Sequence, residues 1–289
     1  MKRLRTTFVL ILLVLSTPAW AWWGGGHDIL TQATIKTLPD EIPEFFRSAT
    51  AGKMIAHCAY DPDLSKERYV PHARAAEYGE HYFDLELIKD NPVPENRDEF
   101  LKLCAKMELE PRKVGLLPYA VAEYTERLAL AFAEYRKWPD NPIIQYKCYV
   151  YAGFLAHYAQ DMCQPLHLTV HFDGIVQEDG TKLHGGIHAK VDSSIEVMKL
   201  DPTELSKGHE IKPVKELMPA IVEQIKIGNK LVEDVYHLAQ DYDDLENPSE
   251  ELLEFTKELS REGVQWTASL YLTAWELSGE INLPGWLER

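Results

Sequence analysis

The stretch FLAHYAQDMCQPLH, residues 154–167, sets His157 and Asp161 four positions apart and places His167 six positions further on. On a helix, residues four apart point to the same side, one turn above the other. The flanking Phe154, Leu155, Ala156 and Ala159 are apolar, so that helix belongs inside the protein. A buried imidazole and a buried carboxylate each need a partner, and a metal ion supplies one. A plain His–Asp hydrogen bond would satisfy a lone pair equally well, but the pattern recurs. GGIHAKVDSS repeats the spacing with His188 and Asp192. YDPDLSKERY offers Asp63, with Asp61 as a rival, and YGEHYFDLE offers His81 with Asp84 three residues on. His27 closes a run of glycines. Imidazole and carboxylate without cysteine suit zinc in a hydrolytic site. The other histidines (57, 72, 171, 184, 209 and 237) lack a carboxylate at helical spacing or sit in polar runs. They read as surface or structural, with His184 the nearest exception.

The elements that must position these groups are helical. Residues 28–38, with Ile29, Leu30, Ala33 and Leu38 on one side, predict a helix, and residues 114–137 carry apolar residues at three- and four-residue steps up to Trp138-Pro139. Asn141-Pro142 opens a further helix running to about Cys163, where Pro165 marks its end. Residues 212–240 and 249–279 read as two long amphipathic helices joined by the acidic turn DYDDLENPSE. The stretch 165–187 has no helical period and reads as a long loop, a common location for function. An all-α single domain follows.

The start of the chain adds a leader. Lys2, Arg3 and Arg5 precede an apolar run over Thr7–Ser16, then Pro18 and Ala19-x-Ala21. That is the pattern of a secretory signal peptide cleaved after Ala21. The run is shorter than the ~20 residues that span a bilayer. Residues 1–21 are thus expected to be removed, leaving residues 22–289 as the domain, secreted or periplasmic. The formal charge of −16, all of whose acidic residues lie beyond the leader, argues against long tracts of phosphate contact and so against extended duplex binding. Cys58, Cys104, Cys148 and Cys163 are the four cysteines. Cys148 and Cys163 share one expected helix, ~22 Å apart at ~1.5 Å per residue, and cannot bridge each other. Pairing with Cys58 or Cys104 stays open.

At these residues the chain resembles the zinc-dependent phospholipase C and single-strand-specific nuclease superfamily. The likeness rests on Trp22 with His27 five residues later, on Asp63 and His81, on His157, Asp161 and His167, and on His188 and Asp192. It implies an all-α fold around three zinc ions per chain. Asp63, His81, His157 and Asp161 would hold the first. His167, His188 and Asp192 would hold the second. Trp22, through its freed α-amino nitrogen and its carbonyl oxygen, would hold the third with His27 and again Asp161. Lys66, three residues after Asp63, and Asp84, three after His81, match a basic–acidic pair beside the scissile phosphate in the nuclease branch. The loop LTVHFDGIVQEDGTKLHGG lacks that branch's usual Gly-Gly-Asn, and GIHAKVD has the flavour of the phospholipase branch, which usually carries Glu where this chain has Asp192.

The implied activity is exported zinc-dependent phosphodiester hydrolysis, a zinc-bridged hydroxide attacking phosphorus. Asp63, Lys66 and Asp84 would be the catalytic side chains, with Lys66 oriented by Asp84. The substrate expected first is single-stranded nucleic acid or nucleotides. The alternative is a phospholipase C releasing phosphorylated headgroups, and an alternative of another class is a zinc-binding protein without catalysis. Tyr82 and Phe83 could pack against a base or a headgroup, with core packing expected for one of them. No protein partner is implied.

Overall fold

A computed structural model describes residues 24–177 and 179–288. The expected leader, and Trp22 with it, lie outside the described residues. What is described is all-α apart from one short antiparallel pair, Ile175–Val176 (β1) against Lys182–Leu183 (β2), with Ile175 opposite Leu183.

Nine helices carry the argument: α1 (Gly24–Thr37), α2 (Ala49–Cys58), α3 (Asp61–Leu64), α4 (Pro71–Glu77), α5 (Leu117–Lys137), α6 (Pro142–Asp161), α7 (Ile187–Val197), α8 (Leu217–Lys230) and α9 (Glu250–Leu277). Single 3-10 turns at Tyr78–His81 and Pro165–Leu168 follow α4 and α6. No helix among the described residues is long and apolar enough to cross a membrane.

The centre of the molecule is α6. Its first turn is set by Asn141, whose side chain accepts from the Ile143 amide at 3.0 Å, and by Pro142, whose missing N–H costs nothing there. It packs against α1, α2, α5 and α9 at once, which is why it is apolar on nearly every side. Gly153 allows the closest of these approaches. A Cβ at that position would overlap the Cys58 side chain and the Ile55 carbonyl oxygen on α2.

Two apolar cores result. The first gathers around Phe46, whose ring meets Phe132 and Tyr271 edge-on at 5.0 and 5.3 Å. Truncating such a side chain to Ala costs about 3–5 kcal/mol. The second joins Leu30, Val191, Ile195 and Val264. Helix α1 feeds both, giving Ile35 to the first and Leu30 and Ala33 to the second.

Three expected elements take different bounds. The run 114–137 is broken at Gly115, which has φ of 103° and lies so close to Tyr82 that a Cβ would overlap the Tyr82 carbonyl oxygen. The helix therefore starts at Leu117. The stretch 212–240 divides into α8 and a short helix at Val232–His237. Pro219 must sit within a first turn, so nothing upstream of about residue 216 can be helical, and Gly228-Asn229 weakens the far end. The stretch 165–187 contains the Pro165–Leu168 turn and the β1–β2 pair. All four cysteines are free thiols, three of them buried.

Candidate metal centre

Six separate elements converge on one buried volume. Helix α1 brings His27, α3 brings Asp63, and the Tyr78–His81 turn brings His81. His157 and Asp161 come from the last turns of α6, His167 from the Pro165–Leu168 turn, and His188 and Asp192 from α7. All eight side chains are buried.

They form three contiguous groups: His27, His157 and Asp161; Asp63, His81 and His157; and His167, His188 and Asp192. Within each group the ligand-type atoms lie within 4.8 Å of one another, so each could hold a metal ion. His157 Nε2 is 3.0 Å from His81 Nδ1 and 3.4 Å from Asp161 Oδ2. Asp161 ties the groups together, with His27 Nε2 at 3.4 Å, His81 Nδ1 at 3.1 Å and His167 Nδ1 at 3.7 Å. His188 Nε2 lies 3.0 Å from Asp192 Oδ2.

The outer hydrogen bonds fix which ring nitrogen faces the centre. His157 Nδ1–H donates to the Ala59 carbonyl at 2.8 Å, and His167 Nδ1–H donates to the His81 carbonyl at 2.7 Å. His27 Nδ1–H donates to Gln160 Oε1 at 2.7 Å, and Gln160 Nε2 in turn donates to Thr31. Each of these three rings is left with an Nε2 lone pair turned inward. His81 is reversed, with Nδ1 inward and Nε2 3.3 Å from Glu77 Oε1. Glu77 also accepts from the Tyr158 hydroxyl. Gln164 Nε2 donates to Asp192 Oδ1 at 2.7 Å. A ligand imidazole held through its other nitrogen is the usual arrangement around a protein-bound metal.

Whether these residues fit a cation can be read from their unmet needs. His27 Nε2, His167 Nε2 and Asp161 Oδ1 are buried and make no hydrogen bond among the described residues. Polar atoms so placed cost free energy unless something pairs with them. Burial pushes the Asp161 carboxyl up to about 7, against the pull of His27. It also holds His81, His157 and His167 well below the usual imidazole value, with neighbouring cationic groups adding to the effect. A cation would relieve the carboxylates and use neutral imidazoles as they stand. An all-nitrogen-and-oxygen donor set without thiolate matches zinc.

Beside the centre opens a cleft of about 200 Å³, lined by Lys66, Tyr78, Tyr82, Asp84, Lys113 and Phe172 together with His81, His167 and His188. Lys66 Nζ lies 2.6 Å from Asp63 Oδ1. Its expected pairing with Asp84 is not formed: Lys66 turns back along its own helical turn to the nearer carboxylate. Asp84 shares the cleft, its amide donating to the Val114 carbonyl at 2.6 Å and its carboxyl pushed up to about 7 by burial and by Glu86. Tyr82 faces the cleft, whereas Phe83 is fully buried against Phe100. Asp61, the rival to Asp63, is partly exposed and belongs to none of the three groups.

No protein-family profile and no curated protein matches the chain. A solved structure does. The chain is similar to the alpha-toxin of Clostridium perfringens from avian strain SWCP, with 14% identity and a TM-score of 0.48 over 91% of this chain and 67% of that one.

The structure brings together the eight candidate side chains that it describes, His27, Asp63, His81, His157, Asp161, His167, His188 and Asp192, and leaves Trp22 outside the described residues. Four residues that sequence spacing passed over hold these candidate side chains from behind: Glu77, Tyr158, Gln160 and Gln164. Glu77 stands four positions before His81, the same spacing that drew attention to His157 and Asp161, so its signal was present. The two glutamines had none.

Proposed function

We propose that this chain is a zinc-dependent hydrolase of phosphoric diesters working in the cleft beside the three His/Asp groups. The observation that carries the reading is the set of three contiguous buried groups, with inward lone pairs, opening on a cleft that contains a lysine. Asp63, His81, His157 and Asp161 would hold one ion, and His167, His188 and Asp192 a second. His27 and Asp161, completed by the amino terminus of Trp22 after removal of residues 1–21, would hold a third. Export of the processed chain belongs to the same reading. Bound zinc supplies Lewis acidity toward phosphoryl oxygens and makes water acidic enough to act near neutral pH.

The chain's own groups would do the rest. Lys66 Nζ neutralises a non-bridging phosphate oxygen, a charge-assisted contact in a partly dry cleft. Asp84 shares protons at neutral pH and is placed in the same cleft. Tyr78, Tyr82 and Phe172 form an apolar wall for the organic part of the ester. One phosphate gripped at a point needs no basic tract, so the acidic surface is no obstacle. The phospholipid reading has at least as much support as the nucleic-acid one, because exposed aliphatic side chains, Leu64 and Val70, flank the cleft-lining Lys66 in the chain.

The test is turnover of a water-soluble nitrophenyl phosphodiester by processed protein, before and after chelation and after zinc is returned. Loss on chelation and recovery with zinc is expected. A protein that binds zinc tightly yet turns over neither this ester, single-stranded DNA, a 3′-nucleotide nor phosphatidylcholine would be a binding protein, and the reading would fall.

A further inference from the structure

The cleft mouth carries a surface that the chemistry of hydrolysis does not require. On one side, the segment from Leu64 to Ala76 stands almost wholly in solvent, and α4 within it has no buried residue. Tyr69 is 79% exposed, Leu64 56% and Val70 44%. On the other side, Phe172 leads into the β1–β2 hairpin, where Val176 and Leu183 are also exposed. Lys66 from the first segment, Tyr78 two residues beyond it and Phe172 from the second line the cleft itself, so the two exposed patches adjoin the site.

Three cations lie beside rings of these two segments. The Arg68 guanidinium lies 5.0 Å from the Tyr69 ring, that of Arg74 5.4 Å from the Tyr78 ring, and Lys182 Nζ 5.8 Å from the Phe172 ring. Within residues 64–76 there are three Lys/Arg side chains and one carboxylate, on a chain whose formal charge is −16, so the basic side of the rim is this segment; on the hairpin side Lys182 is also paired with Asp173 at 3.2 Å. Aromatic rings with a cation alongside, flanked by exposed aliphatics, match the depth profile of a bilayer surface. The rings lie at headgroup level, the cations meet phosphates, and the aliphatics reach the acyl boundary. A single-stranded nucleic acid would use the cations and rings but leave Leu64, Val70, Val176 and Leu183 without purpose.

We infer that the rim formed by residues 64–76 and the β1–β2 hairpin docks the cleft onto a phospholipid bilayer, presenting an ester of that surface to the site. The inference rests on the phosphodiesterase reading for the last clause only; docking itself needs no turnover. Chelated protein is therefore mixed with vesicles of phosphatidylcholine, with and without phosphatidylglycerol, and the bound fraction is measured by sedimentation. The native chain should sediment with vesicles, more strongly when phosphatidylglycerol is present and less in high salt. Tyr69→Ser/Val70→Ser should weaken binding by about tenfold or more, and Val176→Ser/Leu183→Ser should do so independently. Both should unfold at the native temperature and hydrolyse the soluble nitrophenyl ester at the native rate. Native protein that stays in the supernatant overturns the docking face, as do double variants that bind like the native chain. So does a loss of single-stranded DNA cleavage in those variants with vesicle binding intact, which would mark a nucleic-acid face. If only the soluble ester fails to turn over, the hydrolase reading falls and the docking result stands by itself.

Discussion

At Asp63 a lysine and a metal ion would compete for the same oxygen. Lys66 Nζ already sits 2.6 Å from Oδ1, so an ion arriving there frees the ammonium for the substrate phosphate. Lys66→Met should therefore lower kcat by about 10²–10³-fold, the usual loss when a donor to developing negative charge is removed. Zinc content should stay the same and zinc affinity should not fall. Steady-state kinetics beside metal analysis checks this, and an unchanged kcat would reduce Lys66 to a counter-ion. Glu77 makes the opposite case. It stands behind His81 Nε2 and accepts from the Tyr158 hydroxyl, so on the proposed reading it would orient His81 without touching substrate. Glu77→Gln should weaken zinc binding by about 10–100-fold in chelator competition while leaving the metal-free protein no less stable, because a buried carboxylate has been removed. The ligand types and their helical spacing were plain in the sequence. The Lys66–Asp63 contact was not foreseen, since the resemblance implied Asp84 as the partner and an offset of three residues in a turn does not fix where a flexible side chain points.

At the scale of elements, the site is as precise as the contact between α2 and α6. Gly153 lets α6 approach until its backbone meets Cys58 and Ile55, and that approach delivers the Ala59 carbonyl to His157 Nδ1. Gly153→Ala should cost about 1–3 kcal/mol in urea unfolding, as overpacking does, and zinc affinity should fall with it because Ala59 moves. The helices around the ligands could be foreseen where periodicity ran unbroken, as in α6 and α9. Boundaries set by a close approach could not. Gly115 breaks a helical pattern because Tyr82, more than thirty residues earlier in the chain, occupies the space of a side chain there. Local sequence holds no sign of that neighbour.

For the whole molecule, the buried groups tie stability to pH and to metal. In the metal-free protein, His81, His157 and His167 titrate below the unfolded imidazole value of ~6.5 because they are buried. Their contribution is fully present above pH ~6.5 and is lost as pH falls below it, when the unfolded chain takes up protons that the folded chain refuses. Asp161, raised to about 7, runs the other way and is relieved as pH falls through that value. In thermal melts of chelated protein, Asp161→Asn should therefore lower Tm at pH ~5 relative to pH ~8 when compared with the native chain, since the variant lacks the group that is relieved in acid. Zinc should raise Tm at neutral pH with the logarithm of its free concentration and lose that effect in acid, as the imidazoles and carboxylates protonate. A melt indifferent to zinc would contradict the centre itself.

Helix α1 supplies His27 to the site and side chains to both cores, yet it also lies against α9, the last long helix of the chain. These two helices, about two hundred residues apart along the chain, must therefore meet before either core is complete. A contact of such long range closes slowly, so the candidate metal-binding side chains would gain their geometry together and late in folding rather than one by one.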